Sequence, residues 1–149
     1  MPSSLRHAEE ALRQALGPAA MPLVRFASTV EEAVREADLA IDCVPDELES
    51  KLEIFSLLDR MAPPRTVFAT PTTNLSIADL ASCTYRPGQC VGIAASVGQL
   101  SIETADDAEI QIRITTKTKP ETESLVCAFW RRLGYAPVVE LDSTEPMLR

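Results

Sequence analysis

The segment "AIDCVPDELESK" (residues 40–51) decides the expected fold, because an apolar run passes directly into an acidic helix start. The run 39–44, "LAIDCV", is mostly apolar, as expected for a strand covered on both faces of a sheet. Asp46 is followed by Glu49 at the spacing of a helix capping box, and the apolar periodicity then predicts a helix over 46–61. The junction therefore predicts a strand–helix unit of a layered α/β fold.

Outward from this unit, helices and strands alternate along the chain. The strict alternation of "EIQIRITT" (109–116) indicates a strand with one wet face, close to an edge and antiparallel to its neighbour. We expect residues 1–149 to form a single α/β domain with a shortened, mostly parallel sheet. The other predicted helices cover 5–16, 28–38, 76–82 and 120–133, and the other predicted strands cover 22–27, 66–70, 90–95 and 137–141.

Composition excludes several classes of partner. The chain has 149 residues and a net charge of −8, which argues against nucleic acid or an anionic membrane as a partner. No apolar run reaches the roughly 18 residues of a membrane span, and the N-terminus has no apolar signal core, so we expect a cytoplasmic protein.

Metal and nucleophile chemistry find little support in the sequence. The four cysteines, at 43, 83, 90 and 127, lack metal-knuckle spacing, and the chain has one histidine, so we expect reduced thiols and no metal. No Gly-x-Ser-x-Gly elbow, P-loop or paired-cysteine motif occurs. The acidic pair Asp106 and Asp107 is interpreted as a solvated loop rather than a cation site.

Three stretches carry a resemblance to a known family. Residues 24–81, from "VRFASTVEEAV" to "TPTTNLSIADLA", resemble the second half of the NAD-binding domain of 3-hydroxyacyl-CoA dehydrogenases. "RPGQCVGIAA" (86–95) resembles the strand that carries that family's catalytic histidine, and 123–146 resembles its last helix and strand. The resemblance implies a Rossmann-type sheet, NAD as cofactor, and an oxidoreductase of fatty-acid metabolism with an acyl-CoA ligand.

The resemblance also implies roles for three residues. Asp46 aligns with a glutamate that lines the nicotinamide-side ribose, Lys51 with a lysine near the cofactor, and Thr73 with a serine that touches substrate. The residues themselves allow a second interpretation of each. Asp46 has the position of a helix N-cap, Lys51 that of a solvated lysine one turn inside a helix, and Thr73 that of a turn or cap residue.

Two family features are missing from these 149 residues. No GxGxxG turn occurs, since all five glycines are isolated, and we expect a chain that is N-terminally truncated relative to the family. The histidine position is Ala94, so the catalytic residue is unknown, and Glu109, near the family's partner glutamate, is better explained as a wet-face carboxylate. We therefore expect a dehydrogenase-like protein that is inactive alone; the alternative is a non-catalytic binding or assembly module derived from that fold.

The family strands that these 149 residues lack also affect how the sheet is expected to pair. In the family sheet the absent strands lie between 22–27 and 39–44, which leaves an edge of strand 39–44 bare. A bare apolar edge invites pairing. We expect either that strand 22–27 moves in beside 39–44, or that the edge pairs with another chain, as a homodimer or with a complementing chain.

Overall fold

A computed structural model describes residues 3–100 and 105–148, which form a five-stranded sheet with helices on both faces. The strand order is β1-β2-β3-β4-β5, and every neighbouring pair is parallel except the antiparallel pair β3 and β4. This confirms the predicted Rossmann-type α/β architecture. The strands are β1 (Leu39–Ile41), β2 (Val67–Pro71), β3 (Cys90–Ile93), β4 (Glu109–Ile114) and β5 (Ala136–Leu141). The helices are α1 (Ser3–Leu16), α2 (Val30–Val34), α3 (Leu48–Met61), α4 (Ile77–Ser82) and α5 (Pro120–Arg132).

Two apolar clusters hold the helices against the sheet. On one face α2, α3 and α4 pack on β1 to β3, and Phe55 of α3 meets Phe68 of β2 edge to face with ring centroids 5.8 Å apart. On the other face α5 covers the sheet with Trp130, which packs against Tyr135 at a centroid distance of 5.5 Å. Both faces of the interior strand β2 are therefore buried, as its mostly apolar sequence predicts.

Short polar side chains cap the starts of two of the helices. Thr29 Oγ1 accepts the Glu32 N–H at 3.2 Å before α2, and Ser76 Oγ accepts the Asp79 N–H at 3.3 Å before α4. Each bond satisfies one amide that a helix start leaves without an internal partner.

The predicted strand over 22–27 is wrong. Residues Met21–Leu23 form a single 3-10 turn that starts with proline near its first position, and the chain then runs on without a strand partner. Arg25 Nη2 donates to the Glu32 carbonyl at 3.0 Å, which holds this segment beside α2. A short extended run becomes a strand only when a neighbour supplies a ladder, and the segment has none here.

Strand β1 also differs from the prediction, because it lies at the end of the sheet. Its three residues are only half-buried, whereas cover on both faces was expected. β1 pairs with β2 on one side, and among the described residues no strand lies on its other side. Residues 22–27 have therefore not moved in beside β1, and the expected cover from within the chain is absent from 3–100 and 105–148.

Within 3–100 and 105–148, no helix combines the length and apolar character needed to cross a bilayer.

Candidate functional site

The loops that follow β1, β2 and β3 meet at the carboxyl end of the parallel strands. The three strands are parallel, so their carboxyl ends lie together, and the loops 42–47, 71–76 and 94–96 come from these ends. In open α/β sheets ligands bind outside the carboxyl ends of the strands. The candidate site is defined by residues of these loops.

Asp46 links two of the loops. Its carboxylate accepts hydrogen bonds from Thr72 Oγ1 at 2.6 Å, from the Thr73 N–H at 3.0 Å and from Thr73 Oγ1 at 3.3 Å. The alternative role as a helix cap is wrong, because α3 begins at Leu48 and the cap position is Glu47, which makes no side-chain cap bond. Asp46 therefore fixes the loop after β2 instead of the start of α3.

Thr72 is a site residue that the sequence interpretation missed. Its side chain is fully buried, its N–H donates to the Ile93 carbonyl at 3.0 Å, and its Oγ1 also accepts the Leu75 N–H at 3.0 Å. Thr72 thus joins the ends of β2 and β3 and orders the turn that presents Thr73. The available signal was the polar run "TTN" immediately after a buried strand, a position typical of site loops.

Lys51 does not enter the candidate site as a free cation. Its ammonium donates to Asp42 Oδ1 at 2.7 Å and to the Pro71 carbonyl at 3.1 Å, and the Lys51 and Asp42 side chains are 0% and 1% exposed. The interpretation as a solvated lysine is wrong. The ion pair ties the ends of β1 and β2 together beneath the site, while Asp42 Oδ2 has no partner among the described residues.

Ala94 lies immediately after the end of β3, in the third loop of the candidate site. Its N–H donates to the Gln111 carbonyl at 3.0 Å, and the antiparallel register places Gln111 opposite Ala94, with Glu109 two residues further along β4. Glu109 is exposed, as expected for a wet-face residue. A methyl group cannot exchange a proton, so the strand end carries no acid or base at this position.

The histidine and three of the four cysteines lie away from the site or are inert, whereas Cys43 is exposed in the loop after β1. His7 is exposed on α1, and no group of three or more potential metal ligands is found in the described part of the chain. Burial raises the pKa of the Cys90 thiol to about 12 and raises the pKa values of Cys83 and Cys127 by the same cause. These three thiols stay protonated at neutral pH, which makes them core residues rather than nucleophiles.

The site suits a ribose hydroxyl of a dinucleotide but not its pyrophosphate. A carboxylate has about four acceptor positions, so the three bonds at Asp46 leave room for one hydroxyl donor such as a ribose hydroxyl. The pyrophosphate is not provided for: residues 43–46, 71–76 and 94–97 include no lysine or arginine, Lys51 is already paired, and the sequence has no glycine-rich turn.

Comparison with known proteins agrees with this fold. The family described as "3-hydroxyacyl-CoA dehydrogenase, NAD binding domain" matches residues 4–143. A probable 3-hydroxybutyryl-CoA dehydrogenase of Bacillus subtilis is 36% identical over 70 residues, which are 47% of this chain and 24% of that protein. The fatty acid oxidation complex subunit alpha of Shewanella baltica is 27% identical over 117 residues, 77% of this chain and 16% of that protein.

A solved structure shows the same fold. The 3-hydroxyacyl-CoA dehydrogenase of Archaeoglobus fulgidus superposes with a TM-score of 0.73 at 22% identity, over 93% of this chain and 46% of that chain. The chain thus spans about a quarter or less of these two curated relatives and under half of this structure. Because the family match covers nearly all of the sequence, the chain belongs to the family of 3-hydroxyacyl-CoA dehydrogenase NAD-binding domains.

Proposed function

We propose that this chain is the nicotinamide-side part of a 3-hydroxyacyl-CoA dehydrogenase NAD-binding domain and that it does not carry out dehydrogenation by itself. The observation that carries the proposal is Ala94, which lies at the end of β3 beside the buried Thr72 and offers no proton carrier. A positioned acid or base is typically worth about 10²- to 10⁴-fold in rate, so its absence removes most of the chemistry expected at this strand end.

Two features support a retained binding role. Asp46 and Thr73 lie at the rim of the site with one carboxylate acceptor position unfilled, which suits a ribose hydroxyl. Family membership makes NAD the expected cofactor and an acyl-CoA of fatty-acid metabolism the expected substrate of the complete protein. The pyrophosphate donors would come from a second polypeptide of different sequence.

A second candidate is a non-catalytic assembly module. The free edge of β1 favours it, because an unpaired strand edge is a template for another chain. In that role the loop cluster around Asp46 serves only to hold the ends of the strands in place.

NADH titration separates the two candidates. We expect saturable binding, followed by NADH fluorescence, that Asp46→Ala abolishes and that the matched change at the neighbouring exposed carboxylate, Glu47→Ala, preserves. No binding up to millimolar NADH would favour the assembly module.

Activity is tested directly with acetoacetyl-CoA and NADH, by loss of absorbance at 340 nm. We expect the purified chain to show no rate above the uncatalysed reaction, and Ala94→His alone to leave it inactive because the phosphate-binding turn is absent. Steady turnover by the wild-type chain would refute the proposal.

A further inference from the structure

The two outer edges of the sheet differ in how they are protected. On β5, the Ala136 N–H donates to the Ala108 carbonyl at 2.9 Å and the Asp142 N–H to the Ile114 carbonyl at 2.8 Å. In a parallel ladder alternate residues face the partner, so residues 137, 139 and 141 direct their backbone groups outward. Residue 137 is proline, which has no N–H, and proline on an outward position is a common protection of an edge strand.

The β1 edge has no such protection. The Asp42 N–H donates to the Ala69 carbonyl at 3.3 Å, and the Asp38 carbonyl accepts the Val67 N–H at 2.9 Å. The same alternation directs the backbone groups of Leu39, Ile41 and Cys43 away from β2. These residues present three N–H donors and three carbonyl acceptors along an edge that no described strand covers.

An apolar cavity of about 320 Å³ lies beside this edge. β1 contributes its floor, and α2 and α3 contribute walls that include Val30, Ala33, Ile54 and Leu58. Asp42 also lines the cavity, and its buried Oδ2 atom has no hydrogen-bond partner in the described part of the chain. A strand laid along β1 would place alternate side chains in this cavity.

The charge around the edge decides what kind of strand fits. Residues 28–60, which supply α2, β1 and α3, contain ten acidic and three basic residues, a net charge of −7, and the ion pairs of Arg65 with Asp38 and of Arg86 with Asp59 reduce it to −5. A second copy of this chain would bring the same negative charge against the same edge. A partner with lysine or arginine beside its strand would instead be attracted to it.

We propose that the outer edge of β1 is a docking site for an extended segment of another polypeptide, with apolar side chains at alternate positions and basic residues at its ends. The segment would add a sixth strand through the backbone groups of Leu39, Ile41 and Cys43, fill the cavity beneath α2, and meet the acidic helices with its basic ends. The inference deepens the proposed function, on which it rests, by naming the kind of chain that completes the domain.

The test uses the whole chain and two labelled 12-residue peptides that alternate valine and threonine. One peptide has lysine pairs at both ends and the other has glutamate pairs. We expect saturable binding of the lysine peptide by fluorescence anisotropy, at least tenfold weaker binding of the glutamate peptide, and slower amide hydrogen exchange at residues 39, 41 and 43 by NMR. The readout needs neither NADH nor acyl-CoA, so it can fail or succeed independently of cofactor binding.

Two variants locate the binding edge. Ile41→Pro removes an outward N–H without removing a bond to β2, and we expect it to weaken binding of the lysine peptide at least tenfold. Leu141→Pro makes the matched change on the β5 edge and should leave binding unchanged. Should Ile41→Pro fail to fold, Ala33→Phe fills the cavity from an exposed position on α2 and should weaken binding similarly.

Three results would overturn the proposal. The first is no binding of the lysine peptide, and the second is equal binding by the wild type, Ile41→Pro and Ala33→Phe. The third is protection of the amides of residues 39, 41 and 43 in the chain alone, together with a dimeric mass in solution, which would make a second copy the occupant.

Discussion

Lys51 and Asp42 form an ion pair that solvent does not reach, within a molecule whose other ion pairs among the described residues are more exposed. The Pro71 carbonyl shares the ammonium group, so one side chain connects α3 to the ends of β1 and β2. Breaking a buried pair by removing one partner leaves the other charge without compensation.

We therefore expect Lys51→Met to lower the free energy of unfolding by about 3–5 kcal/mol, because the Asp42 carboxylate would remain buried without its cation. Urea denaturation followed by circular dichroism measures the change. The double variant Asp42→Leu/Lys51→Met removes both charges and should recover most of the loss. A single variant within about 1 kcal/mol of the wild type would show that the pair contributes little.

Residue roles were predictable from sequence where the interaction is local. Thr29 and Ser76 cap their helices because the bond spans three residues, a spacing that the sequence displays directly. Asp46 has the same spacing but binds residues 26 and 27 positions away, in the loop after β2. Its partners depend on which strands are neighbours, and the sequence of the α3 start carries no information about that.

The packing of α4 on β3 depends on Gly92. A Cβ atom built on Gly92 would lie 2.3 Å from Ile77 Cδ1 and 2.8 Å from Ile77 Cγ1, closer than packed carbon atoms can approach. The helix and strand are therefore in contact at a position where only glycine fits without movement.

Gly92→Ala should lower the free energy of unfolding by about 1–3 kcal/mol, because either α4 or the Ile77 side chain must shift. Thermal or urea unfolding measures the cost. Ile77→Val removes the nearest atom, so the double variant should be less destabilised than the sum of the two single variants. Strict additivity would show that the two residues do not compete for this space.

Secondary structure was predicted well where an element is amphipathic along its own length. The helix over 46–61 and the strand over 109–116 appear at nearly their predicted positions as α3 and β4. The segment 22–27 and the strand β1 were predicted less well, because each prediction assumed a neighbouring strand. The described chain supplies no such neighbour, so one segment forms no strand and the other remains a half-buried edge.

Helix α1 contributes no residue to either of the two apolar clusters. Its described residues include none that is buried, and its ion pair between Arg13 and Glu9 lies on the surface. The sheet and its other helices are thus packed independently of α1.

Deletion of residues 1–20 should change the free energy of unfolding by less than about 0.5 kcal/mol, since exposed segments contribute little to the core. Urea denaturation of the deletion variant beside the full chain is the measurement. A loss of more than about 2 kcal/mol would mean that α1 packs on the sheet in solution and would contradict the independence of the two parts.

The identical order of strands in the sheet and in the chain has a consequence for synthesis on the ribosome. By the time each strand from β2 onward leaves the exit tunnel, the strand it pairs with has already emerged. The sheet can therefore grow one strand at a time through short loop closures, and it ends at a strand whose proline discourages further growth. Of the described strands β1 emerges first, and no other described strand pairs with its outer edge at any stage of this growth, so a chaperone that recognises extended apolar chain would have that edge to bind.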